Sequence, residues 1–226
     1  MDLGLQERSI LVVGGHGFIG RAIVERLRAE GAHAIPASRH APDGIVMDAA
    51  DDASVTAAFE RIVAEHGRLD GVVVTAAPSA RTLDPSRNSD PAQVLEAFDG
   101  KALTFLRVAN AAIPLMRAAG YGRIVGISGQ NAFLTGNLAG SVRNAALIIA
   151  AKNLADALAG TGVTINAVSP GTVVEEPSPE VGIAKGGQSR PTDIAALTAF
   201  LLSPLAGAIS GESIAVGHRV LGTTHL

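Results

Sequence analysis

Short runs of Val, Ile, Leu and Ala alternate along the chain with longer stretches in which apolar residues recur every three or four positions. The short runs at 9–14, 33–37, 71–76, 123–128, 164–169 and 213–216 read as strands. The longer ones at 17–30, 54–66, 91–119, 136–159 and 192–202 read as helices. Within the strands apolar residues are nearly continuous, the pattern of a strand covered on both faces. Regular alternation of strand and helix implies βαβ units, whose right-handed crossovers produce a parallel sheet. No repeat, low-complexity segment or linker divides the chain. Two stretches look irregular, 78–90, rich in Ser, Pro and Asp, and 172–190, rich in Pro, Gly and Glu. Both follow strands, and open α/β sheets bind ligands at the carboxyl ends of their strands. The second is the better candidate for a mobile substrate lid.

Composition narrows the picture. The chain has 226 residues, 47% hydrophobic but only 3% aromatic, so Ala, Val, Ile and Leu must form the interior. That length suits one domain over 1–226, because dividing it would leave two small cores. A net charge of -3 gives no reason to expect nucleic acid or an anionic membrane as partner. Cysteine is absent, which excludes disulfides and thiolate chemistry, and the six His residues show no metal-ligand spacing. The N-terminus lacks the basic start and long apolar stretch of a signal peptide, and no apolar run reaches the ~18 residues of a membrane span. A cytoplasmic protein is the expectation.

Candidate chemistry begins where the first strand ends, in Val13-Gly14-Gly15-His16-Gly17-Phe18-Ile19-Gly20, with a helix following at once. Glycines let the backbone turn sharply and approach a pyrophosphate, while the helix N-terminus points amide hydrogens and a positive dipole end at the anion. Such turns also arise for steric reasons alone. After the second strand stands Ser38-Arg39, where an NAD site needs an acidic residue for the ribose 2′-hydroxyl. Arginine suits a 2′-phosphate instead, its alternative being a solvated surface side chain. Asp48, followed by Ala49, closes the next strand-like segment and is suited to accept a hydrogen bond from an adenine amino group. Its alternative is a cap or turn residue. Together these features predict a site for NADP(H) in preference to NAD(H). The predicted fold is a single Rossmann-type doubly wound α/β domain, with about seven parallel strands and helices on both faces.

Further motifs follow in order. Gly67-Arg68-Leu69-Asp70-Gly71 leads into the fourth strand and Gly122-Arg123-Ile124-Val125 into the fifth. Val163-Thr164-Ile165-Asn166-Ala167-Val168-Ser169-Pro170-Gly171 makes a sixth strand with a Pro-Gly turn. Arg190-Pro191-Thr192-Asp193-Ile194-Ala195, Phe200-Leu201-Leu202-Ser203-Pro204 and Ile209-Ser210-Gly211-Glu212 come after it. In this order and spacing the chain resembles the short-chain dehydrogenase/reductase family over nearly its whole length. The resemblance implies cofactor contacts from the turn at Gly14, Gly15, His16, Gly17, Phe18, Ile19 and Gly20. It also implies them from Ser38, Arg39, Asp48, Ala49, Ala76, Ala77, Pro170, Gly171 and Val173. The glycine spacing is closer to that of the family's extended members, and Val74-Thr75-Ala76-Ala77 replaces the usual Asn-Asn-Ala-Gly. Small side chains remain where the backbone passes the adenosine ribose.

The family's chemistry rests on Asn, Ser, Tyr and Lys, and all four identities are missing. Aligned without gaps, Lys101 stands at the Asn position, Gly129 at the Ser position with Ser128 one residue early, Gly140 at the Tyr position and Asn144 at the Lys position. The only tyrosine, Tyr121, falls in the turn before the fifth strand, at the opposite end of the sheet from the cofactor. Lys and Asn have thus exchanged between 101 and 144, positions that face each other across the site. Lys101 becomes a candidate to offer positive charge to a ribose hydroxyl or a substrate anion, with a snorkelling Lys at a helix end as the alternative. Lys101, Asn144 and Ser128 form the candidate catalytic set, and Gln130, Ser141 and Arg143 are further polar groups nearby. Arg143 could hold a carboxylate bidentately, although an outward-facing Arg on a helix is the commoner case.

The resemblance implies an NADP(H)-dependent oxidoreductase acting on a small carbonyl or alcohol, with atypical catalytic residues. Two alternatives stand beside it. One is a non-catalytic NADP(H)-binding sensor, the other a non-redox cyclase, isomerase or lyase reusing the cavity. A hydrolase reading of Gly126-Ile127-Ser128-Gly129-Gln130, with His218 or His225 as base, fails because Gln130 replaces the final glycine of the elbow. Ala-rich helices with excess apolar surface suggest a homodimer or homotetramer.

Overall fold

Strands apolar on both faces must lie between two helical layers, and the chain meets this demand with one parallel sheet. The computed structural model describes residues 1–78 and 82–223. Its sheet has seven strands in the order β3-β2-β1-β4-β5-β6-β9. They are β1 (Ser9–Val13), β2 (His33–Ser38), β3 (Ile45–Val46), β4 (Gly71–Val74), β5 (Gly122–Ile127), β6 (Val163–Pro170) and β9 (Ser213–Val216). Every pairing between them is parallel. The order reverses between β1 and β4, and a crevice at their carboxyl ends is the place where such a sheet takes a ligand.

Alternate residues of each strand serve the two layers. Leu11 and Val13 of β1 pack with α2 (Asp52–His66), α4 (Thr104–Ala119) and α5 (Leu138–Ala157). Ile10 and Val12 pack with α1 (Phe18–Ala29) and α6 (Pro191–Leu202) on the other face. The doubly wound architecture expected from the sequence is therefore present. Among the described residues no helix is long and apolar enough to cross a membrane.

Two expectations need correction. The stretch 91–119 is not one helix: α3 (Pro91–Phe98) and α4 are joined by a π-turn over Asp99–Leu103. There Gly100 abuts Pro78, whose Cδ would lie 2.9 Å from an added Cβ. The widened turn carries Lys101 and Ala102 into the interior. The loop 172–190 is not wholly irregular either. Its ends, β7 (Thr172–Val173) and β8 (Gln188–Ser189), pair in parallel and close the intervening segment at its base.

Candidate functional site

The turn after β1 is fixed first by its own packing. A Cβ on Gly14 would lie 2.8 Å from the Ala76 nitrogen, one on Gly15 would lie 2.7 Å from Pro36 Cβ, and one on Gly20 would collide with the Gly14 carbonyl. Those three glycines are demanded by the fold whether or not a ligand binds. Gly17 is different: an added Cβ would meet only the Gly14 oxygen, at 3.2 Å. Gly17 is also the N-cap of α1, with no capping side chain and no acidic residue in the first turn. The free amides and positive dipole end of a twelve-residue helix are left uncompensated at the crevice, which suits a pyrophosphate.

On one side of this turn lies a cleft of about 500 Å³ lined by Gly14, Ser38, Arg39, Asp48, Ala49, Ala76, Ala77, Pro78, Gly100 and Thr104, among others. Arg39 is exposed and forms no ion pair among the described residues. Asp48 has the turn role as well as a cleft-lining one, since its Oδ1 accepts from the Ala50 amide at 3.0 Å. His16 uses both ring nitrogens locally, one with Ser38 Oγ and one with Asp43 Oδ1, each at 2.9 Å. The hydrogen bond from His16 is the main cause that holds the Asp43 carboxyl below the usual range.

On the other side lies a cleft of about 1190 Å³. Phe18, Ile19, Gln130, Gly171 and Val173 line it, with Ser178, Glu180, Lys185 and Gln188 from the 172–190 loop. Pro170 is buried at the end of β6, beside Val216 of β9. Gln130, only 2% exposed, donates through Nε2 to the carbonyls of Val216 and His218, while its Oε1 has no partner among the described residues. It thus braces the last strand against the floor of the larger cleft, a role that sequence spacing did not reveal.

The candidate catalytic residues Lys101, Ser128 and Asn144 form one buried knot, with the tetrad positions Gly129 and Gly140 against it. Lys101 Nζ donates to the Ser128 carbonyl at 3.0 Å, Ser128 Oγ to the Asn144 carbonyl at 3.0 Å, and Asn144 Nδ2 to the Gly140 carbonyl at 2.9 Å. Gly129 faces the Asn144 amide, which would lie 3.2 Å from an added Cβ. Asn144 Oδ1 is buried without a partner among the described residues. Lys101 is not a snorkelling side chain: it is 8% exposed, and desolvation, with repulsion from Arg143 second, lowers its pKa to about 7. Arg143 does not face outward. It is 4% exposed, donates through Nη1 to the Pro78 carbonyl at 3.0 Å, and has an Nε without a partner among the described residues. Apolar residues are spread around α5, so no periodic signal marks position 143 as inward. Ser141 turns away, its hydroxyl held by the Leu134 and Asn137 carbonyls.

Tyr121 stands at the amino end of β5, its ring between the guanidinium groups of Arg8 and Arg123, each 4.3 Å from the centroid, and its hydroxyl donating to the Leu202 carbonyl. It takes no part in the site. His225 lies outside the described residues.

Residues 16–218 match the family model described as enoyl-(acyl carrier protein) reductase. The D-threitol dehydrogenase of Mycolicibacterium smegmatis is 31% identical over 251 aligned positions, covering 95% of this chain and 93% of that protein. A 3-oxoacyl-(acyl-carrier-protein) reductase of Rickettsia bellii is 29% identical, covering 97% of this chain and 99% of its own. In fold, the aldohexose dehydrogenase of Thermoplasma acidophilum superposes with a TM-score of 0.81 at 24% identity, over 98% of both chains. With the sheet order, the glycine turn and these matches agreeing, the chain belongs to the short-chain dehydrogenase/reductase family of oxidoreductases.

Proposed function

We propose that the protein is an NADP(H)-dependent oxidoreductase acting on a small carbonyl or alcohol through atypical catalytic residues. The observation that carries the coenzyme part is Arg39, which lines the smaller cleft beside Ser38, forms no ion pair among the described residues and is suited to a 2′-phosphate. The uncapped start of α1 would hold the pyrophosphate, and the larger cleft leaves room for a substrate beside the coenzyme. The coenzyme, when bound, supplies or removes a hydride. The relatives' names, one a threitol dehydrogenase and one a 3-oxoacyl reductase, support alcohol or oxo groups as the substrate class.

Reduction of a carbonyl also needs a proton near the developing alkoxide. Lys101 is the candidate, an amine that is part protonated near neutrality and replaces the missing hydroxyl acid. Titration with NADPH and NADH tests the coenzyme reading: Arg39→Ala is expected to weaken NADPH about ten- to a hundredfold and leave NADH nearly unchanged, since one charge-assisted pair is worth about 1.5–3 kcal/mol. Equal losses for both would refute it. A carbonyl panel followed at 340 nm then tests turnover.

The closed state of the knot favours a second reading, an NADP(H)-binding sensor without turnover. Ser128 has its hydroxyl engaged, and Lys101 and Asn144 are buried. Binding of NADPH with no consumption across the panel selects this reading over the first.

A further inference from the structure

Lys101 and Arg143 are two buried cations in this site that no carboxylate neutralises. Among the described residues neither forms an ion pair; their partners are backbone carbonyls, Ser128 and Pro78. A carbonyl satisfies an N–H but leaves the net charge in place. The repulsion that Arg143 exerts on Lys101 shows that each lies in the other's field.

Their anchors bracket the crevice. Ser128 stands two residues before Gln130, which lines the larger cleft, while Pro78 and Gly100 line the smaller. The N-terminus of α5 adds to the same sign of potential, because no acidic residue occupies its first turn. Asp99, the acidic neighbour on the π-turn, is paired with Arg107. Neither cation lines a cleft, but behind the junction between the two clefts these groups sum to positive charge. Two unit charges about 10 Å apart at an effective dielectric of about 20 repel enough to change an affinity roughly tenfold.

We propose that Lys101 and Arg143 make the protein discriminate between the redox forms of its coenzyme. The oxidised form brings a positively charged nicotinamide ring to an unneutralised positive pair and is disfavoured, whereas the reduced form brings a neutral ring. The inference rests on the NADP(H) reading above and involves no catalytic step. It makes the resting protein a holder of NADPH.

Equilibrium titration calorimetry with NADPH and with NADP⁺ tests this on the wild type, Lys101→Met and Arg143→Met. The wild type is expected to bind NADPH at least tenfold more tightly, and each variant to narrow that ratio several-fold. Should Arg143→Met lose the Pro78 contact and fail to fold, Lys101→Met and a wild-type pH series still decide. The NADPH/NADP⁺ affinity ratio should fall between pH 6 and 8 as Lys101 gives up its proton. The 2′-phosphate, common to both forms, cancels from that ratio. A ratio unchanged in the variants and flat with pH overturns the inference while leaving the coenzyme reading intact. Wild-type protein that binds neither form overturns both.

Discussion

The ammonium of Lys101 enters an interior where one carbonyl receives it, and this has a thermodynamic signature. In the unfolded chain lysine keeps its proton up to pH 10.5, whereas the buried group releases it near 7. Between those values the unfolded state binds more protons, so this group makes stability rise with pH, by up to about 1.4 kcal/mol per pH unit. The same contribution is lost as pH falls from 10.5 toward 7. Urea unfolding at pH 7 and 9 should show that gain in the wild type and a flatter response in Lys101→Met; parallel profiles would mean the lysine is hydrated. Gly140 makes a second case. Its amide donates to Asn137 Oδ1, the N-cap of α5, and an added Cβ would lie 2.7 Å from Asn137 Nδ2. Gly140→Tyr, the substitution that would rebuild the family's acid, is expected to displace that cap and lower stability by about 1 kcal/mol. Asn137→Ala should show a similar loss in thermal unfolding.

At the scale of elements, strands were legible because burial on both faces writes itself as unbroken apolar runs, as in Gly71–Val74. The α1 turn was legible because its glycines are required by packing in any such fold. The π-turn was not, since a single inserted residue shifts a helical pattern by too little to break it, and the cause, Pro78 against Gly100, is a tertiary contact. The inward turn of Arg143 escaped for the same reason, because only the packing of α5 on the π-turn decides which polar residue is enclosed. The helices also carry surface that the sheet does not use. Leu95 on α3 and Ile149 on α5 are 66% and 62% exposed, and these two helices pack against each other. A homo-oligomer built on this face is our expectation, and Ile149→Lys should shift the elution of the protein toward monomer in size-exclusion chromatography. An unchanged elution volume would place the contact elsewhere.

For the molecule as a whole, the crevice divides the sheet where its strand order reverses, so a ligand there would tie both halves together. NADPH present at a hundred times its Kd should add about 2.7 kcal/mol, which for a chain of this size corresponds to a rise of roughly 5–10 °C in Tm. NADH at the same concentration should give a smaller shift, and matching shifts would count against the 2′-phosphate site. The far end of the sheet offers a way to separate such events. With one tyrosine and no tryptophan, the chain's tyrosine band in near-ultraviolet circular dichroism comes from a single ring. That ring is clamped between Arg8 and Arg123 and tied to Leu202, at the amino ends of the strands. Its optical asymmetry should persist while coenzyme comes and goes, and vanish only when β1, β5 and α6 part company.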